Sequence, residues 1–590
     1  MARGEAVAPP GWISCREVAV SSDFQVDADS SVAKFRLRIH RGEGMVLLAM
    51  DWKQGKPPPD FSGFFIEYRE PSGTTFYPLK NRIGFADAAG KVNPAKLSTQ
   101  DSPIQKFRWV HFPYQAELPG AFTYRVTPMF MNTQKKLEPG DPQQAGLELR
   151  RETYPGQLNV TFTRGFVSSQ AFVDRYAPDG DVSTLLPANA ADGLDFEPTH
   201  PKAQEALAWM GFEARKAILE VLDEAIAKKA QVSVVAYDLN EPEVVSRLEK
   251  MEGRLRVIID DEGDHGASGS AENAAEARLV VSAGRANVKR QHLGKLQHNK
   301  TIVVEAGALQ KVVCGSTNFS WRGFYVQNNN ALVLQGATAV SAFRTAFDAY
   351  FASDSVAAFG KGPSAGWNPL GLGGIEAQVA FSPHSSANAL LGKVAADIQG
   401  GTTSSLLYSL AFLYQTPGVI QSAIKSVTGR NDRFVYGISD RKVGGLDLQK
   451  PDGNLAPVHP EALSGDVPEP FKAEPTGGGG TRMHHKFVVI DFDQPTARVY
   501  LGSYNFSQPA DRENGENLVL IRDRRATTAY MVEALRIFDH YHFRVAQQEA
   551  AHGLRQLVLH EPPKLGQAAW FEADYTDPRR ARDRKIFAGS

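Results

Sequence analysis

The sequence has little cysteine, no long apolar run and almost no net charge. Its 590 residues include two cysteines, Cys15 and Cys314, which are too few for a disulfide framework, and no Cys/His cluster has structural zinc spacing. No stretch approaches the roughly 20 apolar residues of a membrane-spanning helix, and the start, MARGEAVAPPGW, lacks the apolar segment of a secretory signal. A formal charge of -1 gives no overall field that attracts polyanions. These absences favour a cytoplasmic protein in a reducing setting.

From about residue 33 to residue 166, apolar side chains recur at every second position. Turns rich in Gly and Pro separate the segments AKFRLRIHR, GMVLLAMDW, GFFIEYRE, TTFYPLK, KFRWVHF, AFTYRVTPMF and LNVTFTRGF. This series predicts an antiparallel, all-β sandwich over residues 1–165, fibronectin-like because it has no cysteine pair for an immunoglobulin disulfide. The domain has no cluster of reactive side chains, and we regard it as a possible docking surface for a protein partner.

After residue 195 strands alternate with helices, and one unit occurs twice. The first copy contains HNKTIVVE and CGSTNFSWRGFYVQNNNALVL; the second contains HHKFVVID and LGSYNFSQPADRENGENLVL in the same order. Each copy closes with a helical segment, AFRTAFDAYF or ALRIFDHYHF. The sequence therefore predicts an α/β region made of two equivalent halves. We assign the first half to 166–355, a linker to 356–375, the second half to 376–552 and a C-terminal tail to 553–590.

Each half has a His-x-Lys motif where an apolar strand begins. Side chains on a strand alternate between its faces, which puts His298 and Lys300 on one side. The same parity pairs Lys486 with His484 rather than with His485. A single motif of this kind is a weak signal, because buried structural histidines are common. Its recurrence at equivalent points of a duplicated unit is a strong one.

A second strand in each half ends in Gly-Ser-x-Asn. The two copies place Ser316 and Asn318 in the first half, and Ser503 and Asn505 in the second. Glycine permits a close approach of the backbone, and the serine and asparagine side chains offer short polar groups to a phosphate oxygen. The composite pattern predicts a phosphate-binding site.

These motifs resemble the phospholipase D superfamily, whose pattern is His-x-Lys, four residues, Asp, and then Gly-Ser-x-Asn in each half. The resemblance covers roughly residues 195–550. It implies two α/β/α halves packed about a pseudo-twofold axis, with both motifs in one active site. It also implies that one histidine forms a phosphohistidine while the other protonates the leaving oxygen and then activates water or an alcohol. By analogy His298 is the nucleophile and His484 the acid; the reverse order is the alternative.

The residue types suit this chemistry without reference to the family. Negative charge grows on the non-bridging oxygens of a phosphodiester under attack, and lysine and amide donors offset it. Lys300, Lys486, Asn318 and Asn505 supply such donors. Two histidines provide a nucleophile and a general acid near neutral pH, so we predict no metal and no cofactor.

Carboxylates enter the prediction as groups that orient the imidazoles. The candidates in the second half are Asp491 and Glu516. The first half departs from the family pattern twice, because Glu305 stands where aspartate is expected and Asn330 stands opposite Glu516. Glu305 keeps the negative charge at a longer reach, whereas Asn330 lacks it.

A basic run lies immediately upstream of His298. It consists of Arg285, Lys289, Arg290, His292 and Lys295, of which we take Arg290 and Lys295, with Ser316 and Ser503, as candidate substrate-binding residues. Beside a phosphate motif such a run favours anion binding; the alternative is a solvated basic face. The acidic run 260–264, followed by His265, is interpreted as a solvated loop rather than a metal site.

Three functions are compatible with these motifs. A nuclease is favoured, because the setting is cytosolic and the end of the second motif resembles that of bacterial nucleases. A phospholipase D would need apolar loops beside the site, for which Trp367, Leu370 and Leu372 are the candidates. A non-catalytic binding protein is disfavoured by two intact His-Lys pairs. The expected substrate is thus a phosphodiester, with nucleic acid ahead of phospholipid, and a single chain contains both halves of the site.

Overall fold

The structure is a computed structural model that describes residues 19–21, 24–113, 115–149, 152–165, 170–413, 418–440, 446–451, 455–458, 483–553 and 556–590. Its strands are β1 (Ala19–Ser21), β2 (Gln25–Asp27), β3 (Phe35–Arg41), β4 (Val46–Trp52), β5 (Phe61–Arg69), β6 (Tyr77–Pro78), β7 (Arg108–His111), β8 (Ala121–Met131), β9 (Leu137–Pro139), β10 (Gln143–Glu148), β11 (Leu158–Phe162), β12 (Gln231–Ala236), β13 (Leu255–Ile259), β14 (Val288–Arg290), β15 (Thr301–Ala306), β16 (Leu309–Gly315), β17 (Asn330–Gln335), β18 (Asn368–Pro369), β19 (Glu376–Ser382), β20 (Ser405–Leu410), β21 (Phe434–Asp440), β22 (Leu446–Gln449), β23 (Leu455–Val458), β24 (Lys486–Ile490), β25 (Arg498–Gly502) and β26 (Glu516–Arg522).

The α-helices span Gln170–Tyr176, Ala203–Ala227, Pro242–Glu249, Ala271–Ala283, Ala337–Ala352, Val356–Phe359, Leu391–Gly401, Val419–Thr428, Gln508–Arg512, Arg524–Ala551, Glu572–Thr576 and Pro578–Ala588. Helix Val419–Thr428 illustrates why such segments are helical. Its buried residues Ile420, Ala423, Ile424 and Val427 recur at the spacing of one helix face. Within the described segments, every helix is too short or too polar to cross a lipid bilayer.

Two sheets form the predicted N-terminal sandwich. One has the order β1-β10-β8-β5-β6, with β9 on β8, and the other the order β2-β3-β4-β7. Strand β4 is buried on both faces. Its Val46, Leu48 and Met50 enter the sandwich core, whereas the alternate residues Leu47 and Ala49 enter the core of the α/β region. The sandwich is thereby packed directly on the α/β region.

The last strand assigned to the sandwich from sequence, β11, belongs elsewhere. It pairs antiparallel with β17 at the edge of the first-half sheet, and its residues Leu158, Val160 and Phe162 enter the core of the α/β region. Strand β19 holds the equivalent place beside β26 in the second half. An alternating pattern identifies a strand but not the sheet that it joins, which is why the sequence assigned β11 to the sandwich.

The duplication predicted from sequence is present in the sheets. The order β17-β16-β15-β12-β13 in the first half recurs as β26-β25-β24-β20-β21 in the second. In both, the fourth and fifth strands are parallel and the other neighbours antiparallel. Strands β15 and β24, which follow the two His-x-Lys motifs, are therefore topologically equivalent and central in their sheets.

One hydrophobic core joins the two halves. It contains Val303 and Val312 from the first sheet and Phe487 and Val489 from the second, together with side chains of helices Ala337–Ala352 and Arg524–Ala551. Burial of this apolar surface stabilises the arrangement of the halves. The predicted linker is also packed, because Leu370 and Leu372 are buried in this core. These two leucines are therefore not the exposed apolar side chains that a lipid-binding loop would need.

The C-terminal tail is attached to the rest of the protein. The indole of Trp570 stacks on Phe107 of the sandwich at a centroid distance of 5.5 Å. The ring of Phe587 packs on Phe492 of the second half at 5.2 Å. In helix Pro578–Ala588, Arg584 forms an ion pair with Asp51. The tail therefore bridges the sandwich and the second half.

Candidate active site

The two His-x-Lys motifs meet at the seam between the halves. Gln297, which precedes His298, forms a parallel bridge with Gly515, and Met483, which precedes His484, forms one with Asn328. These bridges bring the imidazoles of His298 and His484 to a centroid distance of 6.3 Å. Both side chains are almost buried, with exposed fractions of 3% and 6%. The structure thus combines both predicted motifs in one site.

Each histidine is held by a residue of the opposite half. The Nδ1 atom of His298 lies 2.8 Å from Oε2 of Glu516, and Nδ1 of His484 lies 2.9 Å from Oδ1 of Asn329. Asn329 in turn accepts a hydrogen bond from the hydroxyl of Ser316 at 2.9 Å. With Nδ1 engaged in both rings, Nε2 is the nitrogen left for chemistry. The two environments differ by one carboxylate.

The counterpart of Glu516 is Asn329, and our alignment of Asn330 with Glu516 is wrong by one residue. Sheet pairing sets Gly315 opposite Ala331 and Gly502 opposite Leu518, which makes Asn330 equivalent to Asn517. The hydrogen bonds agree, because the backbone amides of Asn330 and Asn517 donate to Ser316 at 3.1 Å and to Ser503 at 3.0 Å. Matching the letters LVL in both halves produced the shift. On a strand, a one-residue shift exchanges the two faces.

His485 lies on the other side of its strand, as the parity argument predicts. Its Nε2 atom is 2.9 Å from Oε1 of Glu533, and its Nδ1 atom is 3.3 Å from the amide of Asn330. The side chain is completely buried. His485 therefore joins the second-half strand to helix Arg524–Ala551, while His484 faces His298.

Lys300 and Lys486 occupy equivalent positions, and each contacts the backbone of its motif histidine. Nζ of Lys300 donates to the backbone oxygen of His298 at 2.5 Å, and Nζ of Lys486 donates to that of His484 at 2.8 Å. Burial lowers the pKa of Lys300 to about 7 and that of Lys486 well below its ordinary value. A bound anion would offset this penalty by supplying the missing counter-charge. We therefore expect the site to bind an anion and protons together.

Burial also controls the ionisation of the histidines and of Glu516. It lowers the pKa values of His298 and His484, and the positive charges of Lys300 and Lys486 lower them further. It raises the pKa of Glu516 to about 8, against the opposing effect of Lys300. Both imidazoles are accordingly neutral near pH 7, which leaves a lone pair on the ring.

The two Gly-Ser-x-Asn segments begin at the last residues of β16 and β25, which are equivalent strands. Gly315 and Gly502 adopt φ values of +137° and +138°, which side-chain-bearing residues rarely reach. Nδ2 of Asn318 donates to Oδ2 of Asp238 at 2.7 Å. The Oδ1 atoms of Asn318 and Asn505 are buried without a hydrogen-bond partner in the described part of the chain. Buried amide oxygens without a partner are costly; since they only accept hydrogen bonds, a phosphate oxygen would contact the amide nitrogens instead.

Two predicted carboxylates lie away from the histidines. Glu305 is near the far end of β15 and pairs with Arg344 at 3.4 Å. Asp491 follows β24 and accepts hydrogen bonds from the backbone amides of Thr403, Ser404 and Ser405. Roughly 20 Å of extended chain separates each carboxylate from its motif histidine. Neither orients an imidazole, so Glu516 alone of the three candidates does so.

The basic run upstream of His298 is internally paired. Arg285 pairs with Glu276, Lys289 with Asp354, Arg290 with Asn273 and the backbone of Asp260, His292 with Asp261, and Lys295 with Glu513. Lys295 nevertheless keeps a half-exposed side chain. The cations predicted to contact substrate thus already have partners.

The acidic run is exposed at residues 262–264, as a solvated loop would be, but its first residue, Asp260, is buried and pairs with His265. His265 lies between two carboxylates, with Nδ1 2.8 Å from Asp260 and Nε2 3.1 Å from Asp238. These hydrogen bonds raise the pKa of His265 to about 10 against the effect of burial. Asp238, His265 and Glu272 are close enough to be considered as metal ligands. A metal ion bound there would have to displace the proton that His265 carries between the two carboxylates.

Sequence reasoning missed Tyr237, Asp238 and Asn329. The ring of Tyr237 lies edge-on to His298 at a centroid distance of 4.7 Å, and Nζ of Lys300 is 4.6 Å from its centre. Tyr237 and Asp238 directly follow the buried strand β12. Polar residues at the end of a buried strand were a usable signal, and it was not applied to this strand.

The structure has two equivalent α/β halves, and each contributes a His-x-Lys pair to one buried site. This arrangement defines a class of duplicated proteins whose site suits a phosphate group. A family model described as "Cardiolipin synthase, PLD-like domain" matches residues 218–351 and 464–538, and these two segments contain both motifs. The α/β region that contains both motifs belongs to the phospholipase D superfamily.

The similar proteins cover limited parts of the chain. A protein named phospholipase D from Rickettsia prowazekii (strain Madrid E) is 40% identical over 48 residues, which are 8% of this chain and 22% of that protein. Phosphatidylserine synthase from Haemophilus influenzae Rd KW20 is similar over 64% of this chain and 91% of its own, with 15% identity and a TM-score of 0.37. A phospholipase D family member, Nuc, from Salmonella typhimurium is similar over 29% of this chain and 95% of its own, with 21% identity and a TM-score of 0.17. The chain thus matches about a fifth of the length of the curated relative.

Proposed function

We propose that this protein cleaves or transfers phosphodiester bonds through a phosphohistidine formed on His298. The observation that carries the proposal is the crossed pair of contacts, His298 with Glu516 and His484 with Asn329. One imidazole has a carboxylate at Nδ1, and the other has a neutral amide. Two histidines in such different environments suit a nucleophile and a general acid.

The first step is attack of Nε2 of His298 on phosphorus. The step uses the ionised form of Glu516. As the N–P bond forms, the ring becomes cationic and its Nδ1 proton is held by this carboxylate. His484 takes up a proton when the anionic phosphodiester binds, so that both of its ring nitrogens are protonated. The leaving oxygen departs as the bond from phosphorus breaks, and it takes the proton from Nε2 of His484. The products of this step are a phosphohistidine and a free alcohol.

In the second step His484 acts as the base. Its Nε2 atom removes a proton from water or from an acceptor alcohol, whose oxygen attacks the phosphohistidine. The N–P bond breaks and the electron pair returns to His298. Lys300, Lys486 and the amide groups of Asn318 and Asn505 offset the charge on the non-bridging oxygens in both steps. Water gives hydrolysis, and an alcohol gives transfer.

The reverse order, with His484 as nucleophile, is less well supported. The amide oxygen of Asn329 stabilises an imidazolium less than a carboxylate does, because it carries no net charge. The same weaker stabilisation makes a protonated His484 a better proton donor. Both effects favour His298 as the nucleophile and His484 as the acid.

Nucleic acid is the substrate that we propose first. The described part of the chain offers no grouped apolar surface to receive a lipid, since its large exposed apolar residues, Val32, Tyr77, Val281, Val419 and Leu565, occur singly in different elements. The basic run gives little support to either substrate, because its cations have partners. The second candidate is hydrolysis or transfer of phospholipid headgroups, which the names of the family model and of the curated relative favour. A non-catalytic binding protein is the third and least favoured.

The test uses the full-length protein in buffer with EDTA. Plasmid DNA, single-stranded DNA, RNA and phosphatidylcholine vesicles are incubated with the wild type, His298→Ala and His484→Ala. His292→Ala is the matched control, because its ring is half-exposed and paired only with Asp261. Cleavage of DNA or RNA that both active-site variants lose supports a nuclease. Headgroup release without nucleic-acid cleavage assigns the phospholipid function, and no cleavage of any substrate overturns the proposal.

A further inference from the structure

The geometry points to Asp238, His265 and Asp260 as a positioning network that fixes the first-half phosphate arm before substrate binds. The phosphate arm is defined as Asn318 together with the segment that leads into His298. The inference rests on the proposed function and adds three residues that act through others rather than on the substrate.

Asp238 connects the network to Asn318. Its Oδ2 atom accepts hydrogen bonds from Nδ2 of Asn318 at 2.7 Å and from the hydroxyl of Ser320 at 3.3 Å. An amide nitrogen carries two hydrogens, so the contact with Asp238 leaves the second for a phosphate oxygen. The contact thus sets the direction in which Asn318 presents that hydrogen.

His265 contacts the other oxygen of the Asp238 carboxylate. Its Nε2 atom is 3.1 Å from Oδ1 of Asp238, and its Nδ1 atom is 2.8 Å from Oδ2 of Asp260. Both ring nitrogens are therefore donors, and the ring is a cation between two anions. Hydrogen bonds between charged partners are about twice as strong as neutral ones, so the ring fixes both carboxylates.

Asp260 connects the network to the His298 segment. Its Oδ1 atom accepts the backbone amide hydrogen of Gln297 at 2.6 Å, one residue before His298. The side chain is fully buried. Tyr237 lies between His265 and His298, with its ring centroid 4.5 Å from that of His265 and 4.7 Å from that of His298. The network thus contacts both parts of the phosphate arm.

The second half carries different residues at the positions of Tyr237 and Asp238, whereas Asp260 corresponds to Asp440. Thr301 lies opposite Val235 in the first sheet, and Lys486 lies opposite Leu410 in the second. Because Lys300 is the equivalent of Lys486, Tyr237 and Asp238 correspond to Ala411 and Phe412. Neither replacement offers a carboxylate to Asn505. The carboxylate that contacts Asn318 is therefore an asymmetric feature, on the side of the site that holds the proposed nucleophile.

The experiment measures two properties of the full-length protein. The first is the affinity for tungstate, a phosphate-like dianion, by titration calorimetry; the second is cleavage of a p-nitrophenyl phosphodiester, resolved into kcat and KM. The variants are His265→Ala and Asp238→Asn. His292→Ala is the matched control, since it removes a histidine–aspartate pair of the same length outside the network. Asp238→Asn keeps the side-chain shape and decides the outcome if His265→Ala does not fold.

We expect both variants to weaken tungstate binding about tenfold or more and to lower kcat/KM by a similar factor, as loss of a charge-assisted hydrogen bond implies. Added imidazole should restore a fraction of the activity of His265→Ala, because it can occupy the vacated space. A purely structural role would change the melting temperature without this rescue.

The outcomes separate this inference from the proposed function. Wild-type affinity in both variants overturns the positioning network, whether or not the protein cleaves phosphodiesters. Weaker tungstate binding in the variants of a protein that cleaves nothing supports the network and overturns the proposed function. A wild type that neither binds tungstate nor cleaves a diester overturns both.

Discussion

Nδ1 of His298 lies 2.8 Å from a carboxylate oxygen of Glu516, a residue that belongs to the other half of the chain. The equivalent contact of His484 is with the amide oxygen of Asn329. The pseudo-symmetric site is thus made asymmetric by a single carboxyl group. Because each histidine is oriented across the seam, neither half holds a complete site by itself.

The first prediction concerns the position of the phosphohistidine. With a p-nitrophenyl phosphodiester the leaving group departs without protonation, so His484→Asn should still form the covalent intermediate. It should hydrolyse that intermediate slowly, because the base of the second step is absent. We expect the phosphorylated peptide, located by mass spectrometry, to contain His298. The control His298→Asn should carry no label, and a label on His484 in the wild type would reverse the proposed order.

The second prediction separates Glu516 from Glu305. Glu516→Gln keeps the shape but removes the charge next to His298, and we expect kcat to fall by about 10² to 10⁴, as at other carboxylate-oriented histidines. Glu305→Gln is the control, because Glu305 pairs with Arg344 far along β15. It should change kcat by less than about twofold, as expected at an exposed pair. Equal losses in the two variants would contradict the geometry.

The third prediction is that anions bind together with protons. Burial lowers the pKa of Lys300 to about 7, and a bound anion raises it again because it supplies the counter-charge. Affinity is therefore greatest below pH 7 and falls as the pH rises toward the higher pKa of the complex, by up to about tenfold per pH unit for each proton taken up. Tungstate is a suitable probe, since it remains a dianion throughout.

Titration calorimetry between pH 6 and pH 9, in two buffers of different ionisation enthalpy, measures this proton uptake. Lys300→Arg is the informative variant, because arginine stays charged throughout and should take up fewer protons. Constant affinity from pH 7 to pH 9, with no difference between the buffers, would contradict a pKa of about 7 for Lys300.

The sequence predicted the fold where the signal was repeated. The duplicated sheets and the N-terminal sandwich followed from periodicity and from blocks that recur in order. Strand β11 was assigned to the wrong sheet, since its alternation is the same in either place. The burial of Leu370 and Leu372 was missed because a segment rich in glycine and proline was equated with a surface loop.

His298, His484 and their lysines could be placed in the site from sequence, because residues two positions apart on a strand lie on the same face. The partners could not be placed in the same way. Glu305 and Asp491 are close to the motifs along the chain, but the extended strand between motif and carboxylate places each of them far from the active site. Asp238 is distant along the chain and adjacent in space, and only the pairing of β12 with β15 makes that visible.

The fourth prediction concerns Gly315, which precedes the serine of the first Gly-Ser-x-Asn segment. Its φ of +137° is unfavourable for alanine, and a Cβ atom would lie 2.5 Å from the backbone oxygen of Asn330. Gly315→Ala should therefore displace the neighbouring strand and with it Asn329, the partner of His484. We expect a loss of about 2–4 kcal/mol in the free energy of unfolding, from strain and overpacking together, and a lower kcat.

Gly307→Ala is the control for this variant. Gly307 also has a positive φ, +58°, but no heavy atom lies within 4 Å of its would-be Cβ. It should lose only about 1–2 kcal/mol, from backbone strain alone, with kcat unchanged. Urea unfolding and turnover of the p-nitrophenyl diester measure both quantities. If Gly315→Ala loses stability without losing kcat, then the close approach of β16 to β17 supports the fold only, and the hydrogen bond from His484 to the amide oxygen of Asn329 does not depend on it.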